Sequence, residues 1–320
     1  MQLTAPWSVE VYRGKNVESI HSVAVSVVDV QGKSVKEIGD VNALAYPRSA
    51  IKFLQAIPFV ETGALESCSL TAKHLALACA SHQAEAFHME ILTQWISELG
   101  LQDQDLACGP QIPSHTRLMN NCSGKHLGML TTAKHLGESF AEYHLVDHPV
   151  QKRITKILSE FTKFDFSKTT FGIDGCGIPT FALPLSSWAV AMSTLLDPKG
   201  SEDRKNACRR ILAAVTQYPE LVSGSEHLDL KIQQITGGKL IIKSGAEGFC
   251  NGLLPDQGFA FAIKVLDGNA RAIAASIYGI LHECGGFSAE MLHQLEPLLM
   301  TEIKNTQNKI VGKISLRKNH

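Results

Sequence analysis

Between Val9 and Gly39 apolar and polar residues alternate, most plainly in His21-Ser22-Val23-Ala24-Val25-Ser26-Val27-Val28, and the run breaks at Gln31-Gly32-Lys33. A period of two sends successive side chains to opposite faces, so the chain is expected to open with antiparallel strands joined by a hairpin turn. After Pro47 the period changes. Ser49-Ala50-Ile51-Lys52-Phe53-Leu54-Gln55-Ala56-Ile57 has apolar positions at helical spacing until Pro58, and a helix is expected from about Ser49. Thr71 can cap a helix toward Cys79, Glu85 to Leu99 reads as another ended by Gly100, and Gly124 to Leu136 as a third ended by Gly137. Asp147-His148-Pro149 opens a further helix with proline in its first turn. Thr169 to Ile173 reads as a buried strand entering the tight loop Asp174-Gly175-Cys176-Gly177. Near the end, Gly238 to Lys243 and Gly258 to Val265 are strand-like runs joined through Gly248, Gly252 and Pro255, and the two are expected to pair antiparallel. The tail from Thr301 to His320, with Lys304, Lys309, Lys313, Arg317 and Lys318, reads as a solvated terminal segment.

These elements predict an α/β protein of the α+β kind. An antiparallel sheet comes from about 1–45 and 238–285, and a helical middle fills about 49–235. No repeat, low-complexity tract or long linker interrupts the chain, so residues 1–320 are read as a single unit.

Composition narrows the class. With 320 residues, 44% hydrophobic and 19% charged, the chain can bury one large core or two modest ones. Thirty Lys and Arg against 31 Asp and Glu leave a formal charge of −1, which offers no field to gather nucleic acid or anionic lipid. The N-terminal stretch has no basic patch followed by an apolar run, and nowhere do 18 apolar residues follow one another. The expectation is a cytoplasmic protein with neither nucleic-acid nor membrane partner. Eight scattered cysteines in a chain of this size read as thiols in a reducing compartment.

Candidate chemistry starts at Ser49-Ala50-Ile51-Lys52, an S-x-x-K whose two functional side chains would share one helical face. A serine hydroxyl is a poor nucleophile until a base takes its proton, and a lysine whose pKa is depressed by burial can be that base. The same spacing arises when serine caps a helix and lysine sits on its surface. Lys243-Ser244-Gly245 has the lysine, hydroxyl and glycine order of the K-T-G strand of penicillin-recognising enzymes, and equally suits an exposed strand end. Alternation puts Ala260, Ala262 and Lys264 on one face, so Lys264 stands over small residues that leave space for a site. Ser81 lies in the loop Cys79-Ala80-Ser81-His82 between two helices, where it is either a second active hydroxyl or a helix cap. Cys122, Lys125 and His126 fall near one helical face, and Cys176 sits in its tight loop; two buried thiols explain them as well as a metal site does.

Five segments together resemble the L-asparaginase II (class 3, rhizobial-type) family over nearly the whole chain. They are Tyr46-Pro47-Arg48-Ser49-Ala50-Ile51-Lys52, Ala78-Cys79-Ala80-Ser81-His82, Asn120-Asn121-Cys122-Ser123-Gly124-Lys125-His126, Asp174-Gly175-Cys176-Gly177-Ile178-Pro179 and Gly245-Ala246-Glu247-Gly248. The resemblance implies a serine β-lactamase-like fold, a homodimer, and two tandems in one pocket, Ser49 with Lys52 and Ser81 with Lys264. It also implies a zinc ion held by Cys122, Lys125 and Cys176, supporting substrate binding rather than hydrolysis. The expected reaction is hydrolysis of L-asparagine to L-aspartate and ammonia. Lys52 activates Ser49, while Ser81 and Lys264 shuttle protons to the leaving amine. By their proximity to the motifs, Arg48 is a candidate for the substrate carboxylate and Asp174 for its ammonium, a structural salt bridge being the other reading of Arg48, with His82 and Gly245 as further binding candidates. A glutaminase or β-lactam hydrolase of the same fold, or a non-catalytic zinc- or amino-acid-binding protein, are the competing expectations.

Overall fold

The structure is a computed structural model and describes residues 4–166 and 169–317. Its strands, in chain order, are β1 (Trp7–Arg13), β2 (Asn16–Asp29), β3 (Ser34–Ile38), β4 (Leu44–Ala45), β5 (Phe171–Ile173), β6 (Pro179–Phe181), β7 (Leu183–Pro184), β8 (Ile241–Ser244), β9 (Phe249–Leu254), β10 (Phe259–Val265), β11 (Glu302–Lys304) and β12 (Ile310–Arg317). The chain divides into two compact units. One gathers residues 1–50, 183–193 and 231–320, and the other 51–182 and 194–230. Among the described residues no helix is long and apolar enough to cross a membrane.

The first unit is built on one antiparallel sheet in the order β11-β12-β1-β2-β10-β9-β8, with β3 also pairing β2. It is the sheet from both chain ends that the alternation predicts, with the β2–β3 hairpin at Gln31-Gly32-Lys33. Register sorts its two faces. Val23, Val25 and Val27 stand opposite Val265, Ile263 and Phe261, all buried. The other face carries Ala24, Ser26 and Val28 opposite Lys264, Ala262 and Ala260. The helix Ile273–Cys284 packs on the sheet through Gly279, where a Cβ would lie 2.7 Å from the Trp7 ring.

Two expectations fail here. The runs around β8 and β10 do not pair with each other, because β9 lies between them and pairs with both. Its Gly252 and Asn251 weaken the strand pattern, yet glycine is required: a Cβ there would lie 2.0 Å from the Phe261 ring. As far as Arg317 the tail is not a free segment either, while Lys318 to His320 lie outside the described residues. β12 pairs with β1 over Ser8↔Arg317 to Arg13↔Gly312, because Ile310, Ile314 and Leu316 supply the alternation that the basic residues obscure.

The second unit is helical. Its central element, Ser123–His135, is buried from Ser123 to Ala133, as an element enclosed by neighbours must be. Around it lie helices Ile57–Glu61, Ala64–Ser67, Ala72–Ala78, Ala86–Glu98 and Pro149–Thr162, with Lys52–Gln55 packed on Pro149–Thr162 and Glu202–Gln217 on Ile57–Glu61 and Ala72–Ala78. Thr71 caps Ala72–Ala78 in a reciprocal box with His74, and Gly100 and Gly137 take left-handed conformations after their helices. The helix expected from Ser49 begins as a 3₁₀ turn over Arg48–Ile51 before turning α-helical at Lys52. β5 is not buried: it pairs only with β6 and exposes Phe171 and Ile173. Arg204, itself buried, clamps Glu61 (2.7 and 3.1 Å) and Glu160 (2.7 Å) and so ties three helices together.

Candidate active site

In the helical unit the construction starts at Gly124. A Cβ there would lie 2.2 Å from the Leu77 carbonyl oxygen, so only glycine lets the first turn of Ser123–His135 press against the end of Ala72–Ala78. That approach brings the loop 79–82 beside the segment 120–125. The loop is pinned from its far side by Ser81 N donating to Val222 O at 2.8 Å. Asn120 orders the other segment, accepting from Cys122 N at 2.8 Å and donating to Gly109 O at 2.7 Å.

Lys52 reaches into this junction and is completely buried. Its Nζ donates to Ala80 O and to Asn121 O at 3.3 Å, and lies 3.0 Å from Ser81 Oγ. Burial pushes its pKa below the ordinary lysine value; the Lys125 charge pushes the same way and Cys122 opposes. A neutral amine has two N–H groups and one lone pair. In the structure Nζ donates to both carbonyls and to Ser81 Oγ; once a proton is lost the two carbonyls keep the two remaining donors, and the lone pair is free to accept the Ser81 hydroxyl hydrogen. That is the arrangement a base needs before the hydroxyl reacts.

His82, next along, is buried and fully engaged. Its Nδ1 accepts from Ala84 N at 3.1 Å, which puts the ring proton on Nε2, 2.9 Å from Ser123 Oγ. Burial, then the His88 and Lys52 charges, bring its pKa to about 3, so the ring is neutral. The residue proposed from sequence as a binding group therefore joins the two segments and presents no spare ring nitrogen. His126 is similar in part: its Nδ1 lies 2.6 Å from Tyr143 Oη, while Nε2 is buried without a partner among the described residues.

One helical turn from Cys122, Lys125 places Nζ 3.1 Å from Cys176 Sγ. Cys176 is brought there by the β5–β6 turn, which Asp174 closes by accepting from Gly177 N and donating to Ile178 O, both at 2.8 Å. The hydrogen bond from Cys122 draws the Cys176 pKa down to about 5 against the cost of burial, and the Lys125 ammonium helps. The same hydrogen bond, with burial, drives Cys122 up to about 12. Burial lowers the Lys125 pKa, but the two sulfurs and Asp174 more than offset it, so the ammonium is held. The cluster is thus a shared thiol proton and an ammonium around one thiolate. All eight cysteines are free. Among the described residues no three His, Cys, Asp or Glu side chains converge on a metal position, and the set here is two cysteines and a lysine.

The remaining candidates belong to the sheet unit. Arg48 has φ of 52°, a left-handed conformation that costs a side-chain-bearing residue about 1–2 kcal/mol. Ser49 follows it, half-buried, in a turn closed by Ala50 N donating to Pro47 O at 3.0 Å. Gly245 ends β8 against this turn. Lys264, half-buried on β10, donates to Glu247 O; burial lowers its pKa while Glu247 and Asp267 oppose. Sequence reasoning gave no role to Asn120, Asn121, Ser123 or Asn251, although the first three lie in a quoted motif. Asn121 contributes a backbone carbonyl, and Asn120, Ser123 and Asn251 contribute side-chain hydrogen bonds that order neighbouring segments, a role with no sequence signature of chemistry.

The described geometry sets a buried lysine amine against a serine hydroxyl. The L-asparaginase II family profile matches residues 9–316, so the chain belongs to that family of asparaginase-type amidohydrolases. No curated protein matches it. Similar solved structures include a β-lactamase from Mycobacterium bovis (13% identity, covering 77% of this chain and 88% of that one, TM-score 0.42). Another is an octameric penicillin-binding protein homologue from Pyrococcus abyssi (12% identity, 81% and 72%, TM-score 0.44).

Proposed function

We propose that this chain hydrolyses the side-chain amide of L-asparagine to L-aspartate and ammonia through an acyl-enzyme, with Lys52 as the base. The observation that carries the reading is the buried Lys52 amine, its donors on Ala80 O and Asn121 O and its third position on Ser81 Oγ. As Ser81 Oγ attacks the amide carbon, its proton passes to Lys52. The C–N bond then breaks, that proton moves to the nitrogen, and ammonia leaves. Water attacks the ester by the reverse route and aspartate is released with Ser81 restored. Ser49 is the competing nucleophile: it precedes Lys52 by three residues and follows the strained Arg48. Lys264 serves in the same proposal as a second proton carrier, with Arg48 and Asp174 matched to the substrate's two charged groups.

Replacement variants test this. Ser81→Ala should lower ammonia release at least about a thousandfold with an unchanged melting temperature. Lys52→Arg, which cannot give up its proton, should cost about 10²–10⁴-fold. In the native protein the rate should rise with pH along a limb set by Lys52, lying below the ordinary lysine range because the neutral form is the active one. Normal turnover in Ser81→Ala would transfer the nucleophile role to Ser49.

We further propose that Cys122, Lys125 and Cys176 hold a zinc ion. Two sulfurs and one nitrogen converge in a buried cluster where one thiolate is already favoured; binding a soft dication there displaces the protons that Cys122 and Lys125 hold in its absence, because only a thiolate and a neutral amine can ligate. Bound there, zinc would supply a Lewis-acidic position for a substrate oxygen. Elemental analysis should find about one zinc per chain. Stripping it with a chelator should lower the melting temperature, whereas a metal-free protein with unchanged stability would remove the proposal.

A further inference from the structure

The turn that carries Arg48 and Ser49 is braced from the sheet at two points. Asn251, fully buried in β9, donates from Nδ2 to Ala50 O at 3.3 Å. Gly245, after β8, leaves room for the turn: a Cβ there would lie 2.5 Å from Pro47 O and 3.3 Å from Ala50 N. Over these braces Arg48 holds φ of 52°. A left-handed conformation at a residue with a Cβ persists only where its surroundings over-determine it.

The orientation of the Asn251 amide follows from its contacts. The atom facing the Ala50 carbonyl must be the NH₂ group, because an oxygen there would repel it. Oδ1 is then buried with no partner among the described residues. An unpaired buried acceptor is a cost that an apolar side chain of similar volume would avoid, so what asparagine brings to this position is the donor. In register Asn251 stands between Lys243 on β8 and Ala262 on β10, anchored in the sheet interior rather than on a loop.

We propose that Asn251 is a positioning residue that holds the Arg48–Ser49 turn in its left-handed form and so aims the Arg48 guanidinium and the Ser49 hydroxyl. The functional consequence rests on the reading of Arg48 and Ser49 as substrate-contacting residues, while the structural one stands apart from it. Asn251→Leu removes the donor and keeps the volume. Amide exchange at Ser49 to Ile51 should then accelerate about tenfold or more, with the exchange of β9 and β10 little changed. KM for asparagine should rise and kcat fall, each by about tenfold, as expected of a displaced binding and reacting group. A variant that was merely destabilised would lose active fraction and leave KM alone.

Should the leucine variant fail to fold, Asn251→Asp keeps the shape and sets an oxygen against the Ala50 carbonyl, and the same changes are expected. Arg48→Gly supplies a second check, since glycine adopts this φ without cost. In that background Asn251→Leu should change the exchange of the turn by less than it does in the native chain. Unchanged exchange in a folded Asn251 variant would overturn the proposal. A native protein that releases no ammonia from asparagine would instead overturn the asparaginase reading, and the exchange result would still decide the role of Asn251.

Discussion

At Lys52 burial decides the chemistry. An exposed lysine is charged and holds three donors outward, but this one is enclosed, and its surroundings supply two carbonyls and one hydroxyl. The spacing Ser49 to Lys52 was legible in the sequence as a possible pair. What the spacing could not show is that the amine reaches across to Ser81, because that contact depends on a loop 29 residues away in the chain. His82 shows the same limit from the other side. A histidine beside an active serine suggests binding, yet both ring nitrogens are spent on Ala84 N and Ser123 Oγ. Its buried neutral ring has a consequence for stability. The folded pKa of about 3 lies below the unfolded value of about 6.5, so the unfolded chain binds the proton first as pH falls. The stability from this group is complete above about pH 6.5 and declines between there and about pH 3, by about 1.4 kcal/mol per unit. Melting temperature measured from pH 7.5 to 5 should fall less steeply in His82→Gln than in the native protein, and equal slopes would contradict this role.

Among the elements, legibility followed the strength of the pattern. The β2–β3 hairpin, the capped helix after Thr71 and the helix after Pro149 were plain because local signals and burial agree there. β9 was hidden because Gly252 lies under the Phe261 ring and Asn251 supports the turn, so two of its six residues serve close packing and hydrogen bonding rather than alternation. β12 was hidden by Lys313, Arg317 and the basic residues flanking it, although its apolar positions recur at a period of two. Gly124 is where an element and the site depend on one atom. Gly124→Ala would push a Cβ into Leu77 O and force Ser123–His135 away from Ala72–Ala78. Overpacking of this kind costs about 1–3 kcal/mol. The variant should melt several degrees lower and also lose activity, since Lys52, Ser81 and Cys122 all meet at that approach. Native stability and turnover in Gly124→Ala would show that the two helices can separate without harm.

For the molecule as a whole, the α+β plan was readable: strands at both ends and helices between them are what the two periods describe. The division into two compact units was not, since Leu183–Ser193 belongs to the sheet unit while the residues on either side of it belong to the helical one, with no linker rich in Gly, Ser or Pro between. Family membership needed five motifs taken together, as each alone has an ordinary structural explanation. The most direct measurement is to mix the native protein with L-asparagine, quench in acid within the first turnover, and map the aspartyl ester by peptide mass spectrometry. The ester is expected on the peptide containing Ser81 and absent from Lys52→Arg. An ester on Ser49, or turnover with no ester on either serine, would contradict the proposed pairing of Lys52 with Ser81.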